Sequence, residues 1–321
     1  MINDLYYFLV PYCFVVTGNP LSIIFNAQKC SVTYINDGIK SLISLFNNNS
    51  ISEIETLYSN QLEQLRQTIS YLKDRGIIGI RQRNDVFPDL DTSYLSPEHI
   101  KHMVVEYSKQ YDINTIISII NTLLVKFMEI RFPEDIIAED LEYALSLIYK
   151  SPIKSTQLIV SHKYSHLFSK LCERRDADII GSIIFYDSPY SGREERQGKR
   201  LYYVKSSYHG LCSSNNNYLK DFIFDLKYFL LSHSFNPYYY KRLCIDKDGY
   251  IKNCLKNNQV FGNINDPDLD ILNVINSSSF QKLWGCSCDH ILEIKDNPLR
   301  YNMYITNNLK EVGNGLFSII S

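Results

Sequence analysis

Residues 99–132 read HIKHMVVEYSKQYDINTIISIINTLLVKFMEIRF, and this stretch decides the fold. His99–Tyr107 is rich in β-branched and aromatic residues, as strands are. Asn114–Lys126 repeats isoleucine and leucine at helical spacing, and Met128–Phe132 returns to strand character. A strand, a helix and a second strand in so short a span form a βαβ unit, whose strands pair in parallel. The pattern continues with a proline-started helix at Pro133–Tyr149, a strand at Thr156–Val160, a helix at His162–Arg174 and a strand at Ile179–Tyr186. Further strands are expected at Tyr202–Ser206 and Phe222–Leu226. The class is therefore α/β, with a parallel, barrel-like sheet over residues 98–235 and too few strands to close it.

Upstream, residues 1–84 read as a small α+β unit. Tyr6–Val16 and Leu21–Ile35 have strand composition and are separated by the turn Thr17-Gly18-Asn19-Pro20. A break at Ala27-Gln28-Lys29 divides the second stretch in two. Asn36 or Asp37 caps a short helix, Gly38–Phe46. Ser50 with Glu53, and Ser52 with Glu55, match a capping box, and a long helix is expected over Ser52–Asp74. Arg75-Gly76 ends it and Ile77–Ile80 is a last strand. Strands, helices and a closing strand give a winged-helix-like outline. Val86–Pro97 is a linker with two prolines.

Downstream, residues 236–321 differ in character. Arg242–Cys254 carries Asp248-Gly249 between two apolar runs, the strongest hairpin signal in the chain. Val260-Phe261-Gly262-Asn263-Ile264 follows, then a helix at Ser279–Trp284.

Composition narrows the function. A net charge of −2 gives no general attraction to nucleic acid or to an anionic membrane. The long helix exposes Glu53, Glu55 and Glu63 instead of the basic stripe that phosphate contacts require, which argues against a winged-helix regulator. Arg193–Arg200 mixes both signs and reads as a solvated loop. The N-terminus has Asp4, Pro11 and no basic region, so neither a signal peptide nor a membrane span is expected, and the location expected is the cytoplasm. There the eight cysteines, at 13, 30, 172, 212, 244, 254, 286 and 288, should be thiols. No CxxC or CxxxCxxC occurs, and neither does a GxGxxG or P-loop.

The hairpin ending in Lys252-Asn253-Cys254, the Phe261-Gly262-Asn263-Ile264 turn, the Phe280–Trp284 helix and Arg300-Tyr301 are together similar to a SPASM domain. Tyr7-Phe8-Leu9 with Pro11 and Cys13, the Phe87-Pro88 linker and the Ser206–Cys212 segment extend the likeness. The order of features resembles the grasp-with-spasm SPASM-domain peptide maturases, encoded beside ATP-grasp ligases in ribosomal peptide pathways. The resemblance implies a precursor-recognition element at 1–84, a partial (β/α) barrel of radical-SAM type at 98–235 and a degenerate SPASM domain at 236–321. It implies that an extended leader peptide adds to an open sheet edge. The strand Cys30, Ser31, Val32, Thr33, Tyr34 and Ile35 is favoured, with Tyr6–Val16 and Ile77–Ile80 as the other candidates. Asp187 and Tyr190 follow the carboxyl end of a barrel strand, the end that carries sites in barrel folds, and the resemblance places the core peptide there.

The departures point away from redox chemistry. Iron–sulfur cores are held by thiolates. Cys254 matches a cysteine of the family, but the other positions align with Tyr238, Ile294, Asn297, Met303 and Thr306. No cofactor is expected, and the aromatic run Tyr238–Tyr240 is expected to fill the space instead. Cys244, Cys254, Cys286 and Cys288 are the remaining candidates for a metal site, against the plainer reading of unrelated thiols. His162 and His166 share a face of a helix and would be half of a metal site, whereas His99 and His102 point to opposite faces of a strand. His209 and Cys212 are near in sequence, which does not establish a catalytic pair. The expected function is to bind a precursor peptide and present it to an ATP-grasp ligase. An active iron–sulfur or metal-dependent maturase and a winged-helix regulator are the alternatives.

Overall fold

The computed structural model describes residues 5–82, 90–133, 138–171, 175–213 and 218–320. The Phe87-Pro88 motif and Cys172 lie outside the described residues.

Four strands open the chain: β1 (Leu5–Leu9), β2 (Cys13–Val16), β3 (Ser22–Asn26) and β4 (Ser31–Ile35). The first apolar stretch is thus two strands, because Pro11 cannot donate to a ladder. Strands β2, β3 and β4 form an antiparallel sheet in that order. α1 (Asp37–Leu45) starts at Asn36, whose side chain accepts from the Ile39 backbone. α2 (Ile51–Leu57) carries the Ser50–Glu53 capping box. The expected long helix breaks at Tyr58-Ser59-Asn60, where serine and asparagine favour local backbone bonds over helix, and resumes as α3 (Leu62–Asp74). Gly76, at φ +67°, ends it in a left-handed turn, with Ile77 N–H donating to Leu72 C=O at 3.0 Å. β5 (Ile78–Gln82) then pairs with β1.

The central unit alternates as expected: β6 (His102–Glu106), α4 (Ile113–Leu123), β7 (Phe127–Arg131), α5 (Ala138–Tyr149), β8 (Ser155–Ser161), α6 (Ser165–Leu171) and β9 (Ile180–Tyr186). The Arg193–Arg200 segment is not a loop. It is most of a hairpin, β10 (Gly192–Arg196) with β11 (Lys199–Tyr203), turned by Gln197 and Gly198 at φ +50° and +75°. Two left-handed residues make the tight hairpin turn whose twist suits the strands. α7 (Tyr208–Ser213) and α8 (Leu226–Ser234) follow. Phe222–Leu226 is not a strand; Phe222 forms only an isolated bridge to Met303, and Asp225 caps α8.

β12 (Arg242–Ile245) and β13 (Ile251–Lys252) form the expected hairpin, and β12 also runs parallel to β6. The boundary expected at 235/236 therefore crosses one continuous sheet. α9 (Ile271–Asn276), α10 (Ser278–Gln281) and the hairpin β14 (Asn308–Gly313) and β15 (Leu316–Ile320) complete the chain. The central sheet has eight strands in the order β10-β11-β9-β8-β7-β6-β12-β13. Its parallel run is β11, β9, β8, β7, β6 and β12.

The two faces of this sheet differ. Met103, Val105, Met128, Ile130, Leu158, Val160, Ile183 and Phe185 alternate onto one face and join the main core with Ile116, Ile120, Leu141 and Leu145 of α4 and α5. Burial of such side chains stabilises the fold by about 1.5–3 kcal/mol each. The opposite face holds three rows set by the register. Arg242, His102 and Phe127 form the first. Cys244, Val104, Glu129, Gln157 and Ser182 form the second, and Glu106, Arg131 and Ile159 the third.

Candidate functional site: a cationic cavity against the central sheet

A cavity of about 530 Å³ lies against this polar face, closed by Pro237, Tyr238 and Tyr240 before β12 and by Tyr304 and Thr306 near the C-terminus. Its lining contains Lys101, Arg131, Arg242 and Lys256, with Glu129 as the one carboxylate. Arg131 Nε donates to Glu129 Oε1 at 2.5 Å and Arg131 Nη1 to Cys212 Sγ at 3.1 Å. The Arg242 guanidinium lies 4.3 Å from the centre of the Tyr238 ring. Burial acts to raise the Glu129 carboxyl, but Arg131, Arg242 and His102 outweigh it and hold the group below the ordinary carboxylate range. Burial, with Arg242 beside it, pushes His102 down to about 4, so its imidazole is neutral near pH 7.

At the carboxyl ends of the strands, α7 lies over the sheet. The Tyr208 hydroxyl donates to Glu106, its ring packs 5.4 Å from Tyr186, and Cys212 faces Arg131. Glu106 also accepts from Lys247 N–H at 3.2 Å. His209, in contrast, is exposed.

The expected site residues are dispersed. Cys30, at φ +47°, leads into β4 and is exposed, as is Tyr34. β4 is the outer strand of its sheet; Ile35 is buried while Ser31, Val32 and Thr33 are exposed or half-buried. The other two candidate stretches pair with one another through β1 and β5. Asp187 occupies a left-handed turn at φ +53°, its N–H donating to Ser206 C=O at 2.9 Å. Tyr190 is exposed and packs on Tyr203 and His162, at 4.9 and 5.8 Å between ring centres. His162 thereby turns into an aromatic group while His166 Nδ1 lies 3.1 Å from Lys163 C=O, so the two rings do not converge.

The candidate cysteines approach one another only in pairs, Cys244 near Cys254 and Cys286 near Cys288. Cys244 is on the cavity-side face of β12, and burial pushes its thiol up to about 11. Cys254, Cys286 and Cys288 are in the main core, where burial raises Cys286 and holds Cys288 at about 12. Among the described residues no three His, Cys, Asp or Glu side chains converge as a metal donor set. Nor do the residues that the sequence likeness sets at cluster-ligand positions fit an iron–sulfur cluster. Ile294 and Met303 are buried apolar side chains, and the Tyr238 hydroxyl sits 3.5 Å from Cys254 Sγ. Tyr239, fully buried, packs edge-on against Tyr238 and donates to Asn307 C=O at 3.1 Å.

Arg131, Glu129, His102 and Arg242 were not singled out from sequence as a site. The signal was present: strands buried on both faces read as continuous apolar runs, whereas Phe127–Arg131 alternates Met128 and Ile130 with Glu129 and Arg131.

No protein-family model matches the chain, and no curated protein matches it. Among solved structures it is similar to SuiB of Streptococcus suis bound to S-adenosylmethionine, at 12% identity over 85% of this chain and 89% of that one. The TM-score of 0.28 is too low to establish a shared fold. No helix among the described residues is long and apolar enough to cross a membrane.

Proposed function

We propose that this chain is a peptide-binding protein of ribosomal peptide maturation, gripping an extended leader segment of a precursor along β4. The observation that carries the reading is the open outer edge of β4. Its partner β3 is buried along its whole length and packs between two cores, and among the described residues no strand pairs with the outer edge of β4. An added strand satisfies main-chain groups on such an edge, and exposed side chains such as Tyr34 supply selectivity. Asp187 and Tyr190, both exposed, are proposed contacts for the core segment that follows.

The finer proposal is that the protein modifies nothing itself and presents the precursor to an ATP-grasp ligase of a graspetide-like pathway. The resemblance of the sequence supports this, together with half-buried Tyr238 and buried Ile294 and Met303 at positions where cluster thiolates would stand. Titration of the full chain with the precursor peptide encoded beside its gene is the test. Binding is expected, weakened about fivefold by Tyr34→Ala, which corresponds to about 1 kcal/mol. No binding, with or without the ligase, would refute the reading.

A further inference from the structure

The cavity against the central sheet has no part in the β4 grip, and its chemistry is specific. Four cationic side chains line it against a single carboxylate. That carboxylate is already engaged, since Arg131 binds Glu129 Oε1 at 2.5 Å. Arg242 is the decisive residue. It is only 7% exposed, it lines the cavity, and its Nε–H has no hydrogen-bond partner in the protein. A buried guanidinium donor left unpaired is costly. Stacking on Tyr238 compensates the charge from the ring face but leaves the in-plane donor unsatisfied. His102, neutral near pH 7, does not add to the local charge, and the Gln157 amide at the same wall is held by its donation to Ser182 Oγ at 2.8 Å. The volume is in the range of small-ligand sites, about 300–1,000 Å³.

We infer that the cavity binds a small oxyanion-bearing molecule, a carboxylate or a phosphate, with Arg242 as the principal donor and Arg131 and Lys256 supplying positive field. An oxygen in the guanidinium plane would pair Nε–H, which no neighbouring side chain does. Glu129 keeps Arg131 in place and sets an upper limit on how much negative charge enters. The inference stands apart from the peptide reading, since no β4 residue lines the cavity.

The full chain is titrated with succinate and, separately, with inorganic phosphate, with chloride at matched ionic strength as the reference, and thermal midpoint and calorimetric heat are followed. Succinate or phosphate should raise the midpoint beyond chloride, and the stronger of the two identifies a carboxylate or a phosphate as the source. Arg242→Gln should weaken the effect at least tenfold. Lys256→Gln, at a half-buried position, should fold normally and also weaken it. Glu129→Gln should strengthen it. No response to either anion in the parent protein overturns the inference. So does a response that Lys256→Gln leaves unchanged, including where Arg242→Gln does not fold.

Discussion

His102 shows how much a single residue is set by its row. On β6 it stands level with Arg242 and faces the cavity, and burial with that neighbour pushes it down to about 4 from an ordinary 6.5. The unfolded chain therefore takes up this proton first as pH falls. Stability is complete above pH 6.5 and declines between 6.5 and about 4, by about 3 kcal/mol for this group. Denaturant midpoints measured across that range should fall, and His102→Gln should flatten the slope. A slope unchanged by the substitution would show that other groups carry it. The thiols follow the same logic. Cys30 is exposed and Cys212 half-buried, whereas Cys244, Cys286 and Cys288 are buried with raised pKa values. Alkylation of the native protein, read by mass spectrometry, should modify Cys30 and Cys212 well before the buried three. Rapid labelling of Cys244 would contradict this burial. Cysteine positions were legible in the sequence, but which of them come near one another was not, because spacing along a chain does not fix distance between elements.

Among the elements, the sequence supplied what depends on period and capping. The Asn36 and Ser50 caps, the Gly76 stop and the alternation from β6 to β9 all rest on local chemistry. It failed where a strand's partner is distant. Phe222–Leu226 has strand composition, yet Asp225 caps a helix there, and β12 reads as half of a local hairpin although it also pairs with β6 far upstream. Charge hid the β10–β11 hairpin, since an edge strand open to solvent tolerates Arg and Glu on both faces. Gly79 illustrates close packing within an element pair. A Cβ there would meet Phe8 Cε1 at 2.5 Å across the β1–β5 ladder. Gly79→Ala should cost about 1–3 kcal/mol in chemical denaturation. A neutral result would mean that the Phe8 ring swings away freely.

At the scale of the whole molecule, the N-terminal sheet is fastened to the C-terminal segment. Phe25 stacks on Phe229 of α8 with ring centres 4.4 Å apart, and Tyr301 meets the same ring edge-on. Asn19 N–H donates to Asp296 C=O at 2.9 Å and Arg300 Nη1 to Thr17 C=O at 2.7 Å. Gly18 lies so close that a Cβ would come within 2.6 Å of Pro298. Nothing local in the sequence announced this junction, which joins residues almost at opposite ends of the chain. It backs β3 and leaves β4 outward, where an added peptide strand would pair. Hydrogen exchange of Ser31–Ile35, read by mass spectrometry with and without the precursor peptide, tests the grip most directly. Slowed exchange concentrated on that strand is the predicted result, and a bound peptide that leaves exchange at Ser31–Ile35 unchanged would contradict it.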